Sequence, residues 1–235
     1  MSSANVKSAY LSGIRDGAPF IFVAGPFAML FGVVAMEAGL SLAQVIGFSI
    51  VVIAGAAQFA AVQLMVDQAS IALILLAALA VNLRMAMYSA SLVPYLGAAP
   101  LWQRAVVSYV NFDQCYIASI AQYQARPEMT INQRIAFFLG VATPLAPLWI
   151  AMTAVGALVG SAIPPEYALD FALPITFLAM IGPMLRTLAH VVAALTSMGV
   201  GLALVVLPSG TGLLIAAACA MVAGVLVEIW QERRA

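Results

Sequence analysis

Long apolar runs, separated by short clusters of turn-forming and charged residues, dominate this chain. A bilayer core of about 30 Å needs roughly 20 apolar residues at about 1.5 Å each. Eight runs are candidates: Pro19–Met36, Ala43–Val66, Ile71–Leu96, Ala105–Gln122, Ile135–Val159, Ala168–Leu185, Leu188–Leu207 and Leu213–Trp230. The breaks carry turn chemistry at Glu37–Ser41, Gly97–Pro100, Ala162–Glu166 and Pro208–Gly212. The pattern predicts an all-α fold, a polytopic transmembrane helical bundle of about eight spans forming one domain over residues 1–235. The Arg186–His190 break admits an alternative of seven spans plus a re-entrant segment.

Charge tests the count. With eight spans and the N-terminus inside, Lys7, Arg15, Arg126, Arg134, Arg186, Arg233 and Arg234 fall on the inner side. Arg104 falls outside and Arg84 lies within the third span. That lopsided split follows the positive-inside rule and places both termini in the cytoplasm. The polar N-terminal stretch precedes an apolar run with no small-x-small cleavage pattern, so a first spanning helix is expected there and not a removed signal peptide.

The first and fifth spans share a local pattern, Val23-Ala24-Gly25-Pro26 and Val141-Ala142-Thr143-Pro144. Both would run in the same direction. Proline withholds one backbone donor and leaves a carbonyl free, and in a membrane such groups survive only against protein or cavity water. The pattern suggests an internal repeat, with units of about 15–96 and 130–207, and proline-broken helices around a cavity. Gly25, Pro26, Thr143 and Pro144 are candidate binding positions on that account, with packing kinks as the plainer reading.

Composition agrees with lipid as the solvent. Of 235 residues, 65% are hydrophobic and 8% charged, with a mean hydropathy of +1.09. So few charged groups cannot cover a soluble globule of this size. Nine Lys/Arg balance nine Asp/Glu and no basic run occurs, so nucleic-acid binding is set aside. Cys115 and Cys219 sit in apolar stretches without paired spacing, and with one histidine no metal site or other cofactor is expected.

Against this background the intramembrane polar residues stand out. Arg84 lies about 21 Å into the third span and about 9 Å below its outer edge. A charge at that depth costs at least about 2.5–3.5 kcal/mol and faces a partner or water. Tyr88 and Ser91 share its helix face. Asp113 lies about 12 Å below the same edge in the fourth span, flanked by Tyr109 and Tyr116, and is the natural partner. Either the two form an ion pair that fixes helix packing, or Arg84 takes a substrate carboxylate while Asp113 takes an amine or a proton. Ser108, Asn111, Cys115, Ser119 and Gln122 form a second, polar stripe on that helix. Asn82, on another face of the third span with Met85 and Ser89, is a hydrogen-bonding candidate toward a neighbouring helix or a substrate. Gln58 follows the small residues Ala54-Gly55-Ala56-Ala57 and reads as interhelical glue or a binding residue. Asp170 beside Pro174 reads as structural, and His190, near the cytoplasmic boundary, as a capping or snorkelling residue, with a proton relay as the alternative. No Ser/His/Asp set, phosphate loop or paired catalytic carboxylates occur, so an enzyme is not expected.

In these residues the chain resembles the AzlC family, the large subunit of bipartite branched-chain amino acid exporters. The resemblance rests on Gly13-Ile14-Arg15-Asp16-Gly17-Ala18-Pro19, Ala54-Gly55-Ala56-Ala57-Gln58-Phe59, Val81-Asn82-Leu83-Arg84 with Tyr88-Ser89, and Asp170-Phe171-Ala172-Leu173-Pro174. It covers nearly the whole chain in order. Where family members often carry Asp-Glu, this chain has Asp113-Gln114, leaving Asp113 as the sole carboxylate there. The resemblance implies a secondary transporter in the bacterial cytoplasmic (inner) membrane that exports branched-chain or similar apolar amino acids. It also implies coupling to the proton gradient and a small AzlD-type membrane subunit as partner. A zwitterionic cargo needs a cation-like site, an anion-like site and an apolar pocket, which Arg84, Asp113 and the surrounding spans would supply. The alternatives are a passive channel for small solutes and a purely structural membrane subunit.

Overall fold

A computed structural model of the 235-residue chain describes residues 3–160, 185, 187–205 and 211–233. Expectations for Asp170, Pro174, Arg186 and most of the sixth span lie outside the described residues. Every regular element among the described residues is helical. They are α1 (Ser3–Gly17), a 3-10 turn (Ala18–Phe20), α2 (Ile21–Glu37), α3 (Leu42–Val51), α4 (Gly55–Val66) and α5 (Ile71–Leu96). After them come α6 (Leu101–Tyr109), α7 (Asp113–Ala125), α8 (Ile131–Gly160), α9 (Leu188–Ala203) and α10 (Thr211–Glu232). Four helical stretches, Asn5–Glu37, Ile71–Leu96, Ile131–Gly160 and Leu214–Glu232, are long and apolar enough to cross a bilayer. The helical membrane bundle expected from the apolar runs is the fold observed.

The chain divides into two compact units, residues 1–60 with 78–163, and residues 61–77 with 164–235. In the second unit α9 packs on α10 through small residues. A methyl on Gly201 would touch the Ala216 Cβ at 3.8 Å, and one on Gly224 the Ala193 Cβ at 3.4 Å. Partners fall in number on one helix as they rise on the other, so the pair is antiparallel. The side chain of Thr187 accepts from the His190 backbone N–H at 3.2 Å and caps α9. His190 itself is exposed.

The first unit is built on the first and fifth predicted spans lying side by side, the first of them extended toward the N-terminus by α1, which the apolar pattern does not predict. Gly13 and Gly17 on α1 face Gly140 and Val141 on α8, and Gly32 on α2 faces Thr153 and Gly156. A methyl on Gly13 would come within 3.0 Å of the Gly140 Cα, and one on Gly17 within 2.7 Å of the Val141 carbonyl. Added at Gly156, it would drive into the Met29 carbonyl. Partner numbers rise together, so the helices run in the same direction, as expected. With no hydrophobic drive between helices in lipid, backbone contact across small residues is what holds such a pair.

Two features depart from the sequence reading. Pro26 lies within α2, Pro94 within α5, and Pro144 and Pro147 within α8, and each helix runs through its prolines. Thr143 helps α8 do so, donating its hydroxyl to the Leu139 carbonyl at 2.7 Å and meeting the Tyr10 hydroxyl at 2.8 Å. The breaks fall elsewhere, at Val52–Ala54 and Val110–Phe112, inside the second and fourth predicted spans. Neither break contains a proline.

At both breaks the chain doubles back. The Gln58 amide donates to the Ser49 hydroxyl at 3.0 Å, whereas nine residues along one helix would separate them by about 13 Å. So α3 and α4 form a hairpin with its tip at Val52–Ala54. The second hairpin shows in its register on α5. Asp113 meets Arg84, Tyr116 meets Tyr88 and Ser91, and Tyr123 meets Tyr95, so α7 runs parallel to α5. Since α7 runs parallel to α5 and follows it, α6 must return along α5 from Gly97 to Asn111, and both line one cavity.

This moves Arg104. Its neighbour Gln103 lines a second cavity with Lys7, Tyr10 and Asn132, at the end where α1 and α8 begin. Arg104 therefore shares an end with Lys7, Arg15, Arg126 and Arg134, and not the opposite end expected from a crossing fourth span. The charge asymmetry of the first unit becomes sharper as a result.

Candidate functional site

The hairpin tips are where chemistry concentrates. Arg84, in the middle of α5, holds Asp113 at 3.0 Å from Nη1 to Oδ2. Asp113 opens α7, so its carboxylate sits at the partly positive N-terminal end of a helix that begins inside the bundle. The pair expected from matching depths is therefore formed, although the depth is reached by a hairpin and not a crossing helix. The side chains remain 29% and 34% accessible. The contact is single-pronged: Arg84 Nε and Asp113 Oδ1 are buried and engage no protein group. A guanidinium donor and a carboxylate acceptor thus remain beside one another for a further ligand.

Tyr88 and Tyr116 wall this site. Their rings stack with centroids 4.1 Å apart at 9°, and Tyr88 lies within the field of both charges. The Tyr116 hydroxyl is 3.0 Å from Ser91 Oγ. The shared face of Arg84, Tyr88 and Ser91 is the one turned to α7. Asn111 at the tip donates to Ser89 Oγ at 3.3 Å, and its own Oδ1 is buried without a partner. Tyr109 does not flank Asp113; its hydroxyl donates to the Ile50 carbonyl at 2.6 Å. Ile50 lies in the last turn of α3, whose carbonyls have no intrahelical donor. The two hairpin tips therefore meet.

Around the first tip the chemistry is neutral, and Gln58 Oε1 is buried without a partner. Gln58, Ser49 and Thr153 are fully buried and linked, Gln58 Nε2 to Ser49 Oγ and Ser49 Oγ to Thr153 Oγ1 at 3.1 Å. Phe27, Phe31, Phe48, Phe59 and Trp149 pack around them with centroid distances of 5.0–5.9 Å. Gly55, first residue of α4, has no room for a side chain: a methyl would press into Phe27 and come 2.7 Å from Trp149.

The sequence-predicted residues thus fall into groups. Arg84, Tyr88 and Asp113 come together. Asn82 lies two residues from Arg84 with its Oδ1 buried and unengaged. Gln58 belongs to the neutral tip. Gly25 faces Leu148 and Met152, and Pro26 is exposed. Thr143 bonds Tyr10, and Pro144 follows it; no described hydrogen bond joins this group to the charge pair. Ser49, Thr153 and Tyr10 escaped the sequence reading because lone hydroxyls in apolar helices carry no distinctive spacing.

At the base of the second hairpin, Arg134 fixes the geometry. It donates to the Pro127 carbonyl at 2.8 Å and the Tyr95 carbonyl at 3.4 Å, and lies over the Tyr95 and Tyr123 rings. The Tyr123 hydroxyl returns a bond to the Arg134 carbonyl at 2.7 Å. This clamp joins the C-terminal ends of α5 and α7 to the start of α8.

Hairpins ending inside an apolar bundle, with an ionic pair at one tip and the second tip bonded to it, define a helical membrane protein. The chain belongs to the AzlC family, whose model, described as AzlC protein, matches residues 19–163. It is 24% identical over 240 residues to the inner membrane protein YgaZ of Escherichia coli K12, across 96% of this chain and 93% of that one. It is 28% identical over 234 residues to an uncharacterized membrane protein of Archaeoglobus fulgidus, across 98% of this chain and 99% of the relative. No solved structure matches the chain.

Proposed function

We propose that this protein is the large subunit of a secondary transporter that exports branched-chain or similar apolar amino acids, coupled to protons. The single observation that carries the reading is the incompletely engaged Arg84–Asp113 pair at the tip of a membrane hairpin. An amino acid presents a carboxylate and an ammonium a few ångströms apart, the complement of a free guanidinium N–H and a free carboxylate oxygen. Arg84 receives the carboxylate and Asp113 the ammonium or a proton, so that loading and proton return compete for one carboxylate. The stacked Tyr88 and Tyr116 offer an apolar wall to the side chain. Asn82 and the Gly25-Pro26 and Thr143-Pro144 segments contribute to the path around this centre, and Gln58 holds the neutral tip beside it.

The basic end of the first unit, with Lys7, Arg15, Arg104, Arg126 and Arg134, faces the cytoplasm by the positive-inside rule. The membrane is the bacterial cytoplasmic membrane, and a small AzlD-type subunit completes the transporter. Efflux from proteoliposomes holding the co-expressed complex tests the reading. Leucine counterflow should persist at a reduced rate in Asp113→Asn, whose amide oxygen still accepts from an ammonium, while uphill efflux driven by a pH gradient disappears. Unchanged proton stoichiometry in that variant removes Asp113 from the mechanism. Transport by Arg84→Ala and Asp113→Asn at full rate would leave a structural subunit, and flux without counterflow a passive channel.

A further inference from the structure

A cavity of about 640 Å³ lies between the C-terminal half of α5 and the returning helix α6. It falls within the roughly 300–1,000 Å³ typical of small-ligand sites. Its walls are apolar, with Leu92, Leu96 and Val107 among them. Its polar groups are placed unevenly. Gln103 and Arg104 stand together in the first turn of α6, at the basic end of the unit. Asn111 closes the inner end, two residues before Asp113.

Two of these groups are acceptors in need of donors. Gln103 Oε1 and Asn111 Oδ1 are buried and engage no protein group. Asn111 is 94% buried, at 6% relative exposure, and its amide nitrogen is already committed to Ser89. A buried carbonyl oxygen left without a donor is destabilising, so a site that keeps two of them along one cavity favours a ligand that brings N–H groups. Arg104, adjacent to Gln103, supplies the opposite preference, for an anion.

We infer that this cavity is a loading vestibule for a zwitterion with an apolar side chain, distinct from the Arg84–Asp113 centre and opening at the basic end of the unit. Arg104 takes the carboxylate and Gln103 Oε1 the ammonium at the mouth. The side chain slides along Leu96, Val107 and Leu92. Asn111 Oδ1 then passes the ammonium to Asp113. Gln103 and Asn111 are about 12 Å apart along the helix, so they act in succession and not on one ligand at once. The identity of the ligand rests on the export reading above. The position and opening of the cavity do not.

Thiol labelling of the full complex separates the two. Cys219 is exposed and is replaced by Ala; Cys115 is fully buried and stays, as the unreactive reference. Val107→Cys, lining the cavity, is then treated with a charged, membrane-impermeant thiol reagent in inside-out and right-side-out vesicles. Reaction from the cytoplasmic side only is expected, slowed at least fivefold by leucine but not by glutamate. Reaction from the outer side only overturns the vestibule. Failure to react from either side also overturns it, because a lipid tail or a partner helix then fills the groove. Leucine efflux that persists with no leucine protection overturns the vestibule alone. Loss of all leucine counterflow in the unsubstituted complex, with cytoplasmic labelling intact, overturns the cargo assignment and leaves the opening in place. Arg104→Gln provides the second reading: about a tenfold rise in the half-saturating cytoplasmic leucine concentration at unchanged maximal rate. An unchanged half-saturation would remove Arg104 from the mouth.

Discussion

The two hairpins share a plan and differ in what they carry. Each enters the bundle, turns over three residues and leaves as a new helix, and the tips join through Tyr109 and Ile50. Beside the tip of α3 and α4 lies a neutral, fully buried set, Gln58, Ser49 and Thr153, ringed by aromatic side chains. The tip of α6 and α7 holds a guanidinium and a carboxylate that are about one-third accessible. Ending a helix inside a membrane leaves backbone donors and acceptors that need partners. At the first hairpin the Ile50 carbonyl takes its donor from Tyr109, and Gln58, Ser49 and Thr153 bond one another in a buried neutral set. The second places an acid at the exposed donors and balances it with Arg84. One tip is built to stay, the other to exchange partners.

The most severe break in that comparison is at the charge pair. Removing one member leaves the other charge in an apolar bundle, which costs several kcal/mol where burial is complete and less here, since both groups are partly accessible. Arg84→Met should abolish leucine efflux by at least a hundredfold and lower the melting temperature of the complex. The double variant Arg84→Met, Asp113→Leu should recover most of the lost stability while remaining inactive. Recovery of efflux along with stability would show a pair that only holds helices together.

Gly55→Val attacks the sealed tip. Its side chain would force Phe27 and Trp149 apart, and overpacking of this kind costs about 1–3 kcal/mol. Thermal unfolding should register that loss, with efflux per folded complex within about threefold of the parent. A larger fall in efflux at full stability would give the sealed tip a direct part in the path. Gln58→Met should cost about 1 kcal/mol, the net value of one buried hydrogen bond, with efflux again within threefold. Selective loss of leucine efflux in that variant would instead put Gln58 against the cargo.

The difference between the tips also explains what the sequence discloses. Arg84 and Asp113 are conspicuous because ionised groups are rare in apolar runs, and their pairing follows from depth alone. The helical character of every described segment beyond α1 is readable from the apolar runs, whereas α1 lies in the polar stretch ahead of the first of them. The direction of two segments is not. Ala43–Val66 is long and apolar enough to cross, and only the contact of Ser49 with Gln58, nine residues apart, reveals the turn. The prolines mislead for a related reason. Pro26 and Pro144 remove one hydrogen bond each, but the glycine-packed seam of α1 and α2 against α8 holds both helices across these positions. Arg104 holds the missed clue: as the lone basic residue assigned outside, it marks a segment that returns to the side it came from.

The smallest chemical change is made at the bond that joins the two hairpins. Tyr109→Phe deletes the hydroxyl that donates to the Ile50 carbonyl and keeps the ring in place. The carbonyl then loses its donor at the end of α3, a cost of about 1 kcal/mol. Were the tips independent, that cost would appear only as a small fall in melting temperature. Were they to move against one another during export, the bond would have to break in each cycle, and its loss would change the rate of interconversion. A twofold to fivefold change in maximal efflux at unaltered half-saturation is expected, read in the same vesicles. An identical rate, with the stability loss present, would assign the tyrosine to packing and leave the charged tip to work alone.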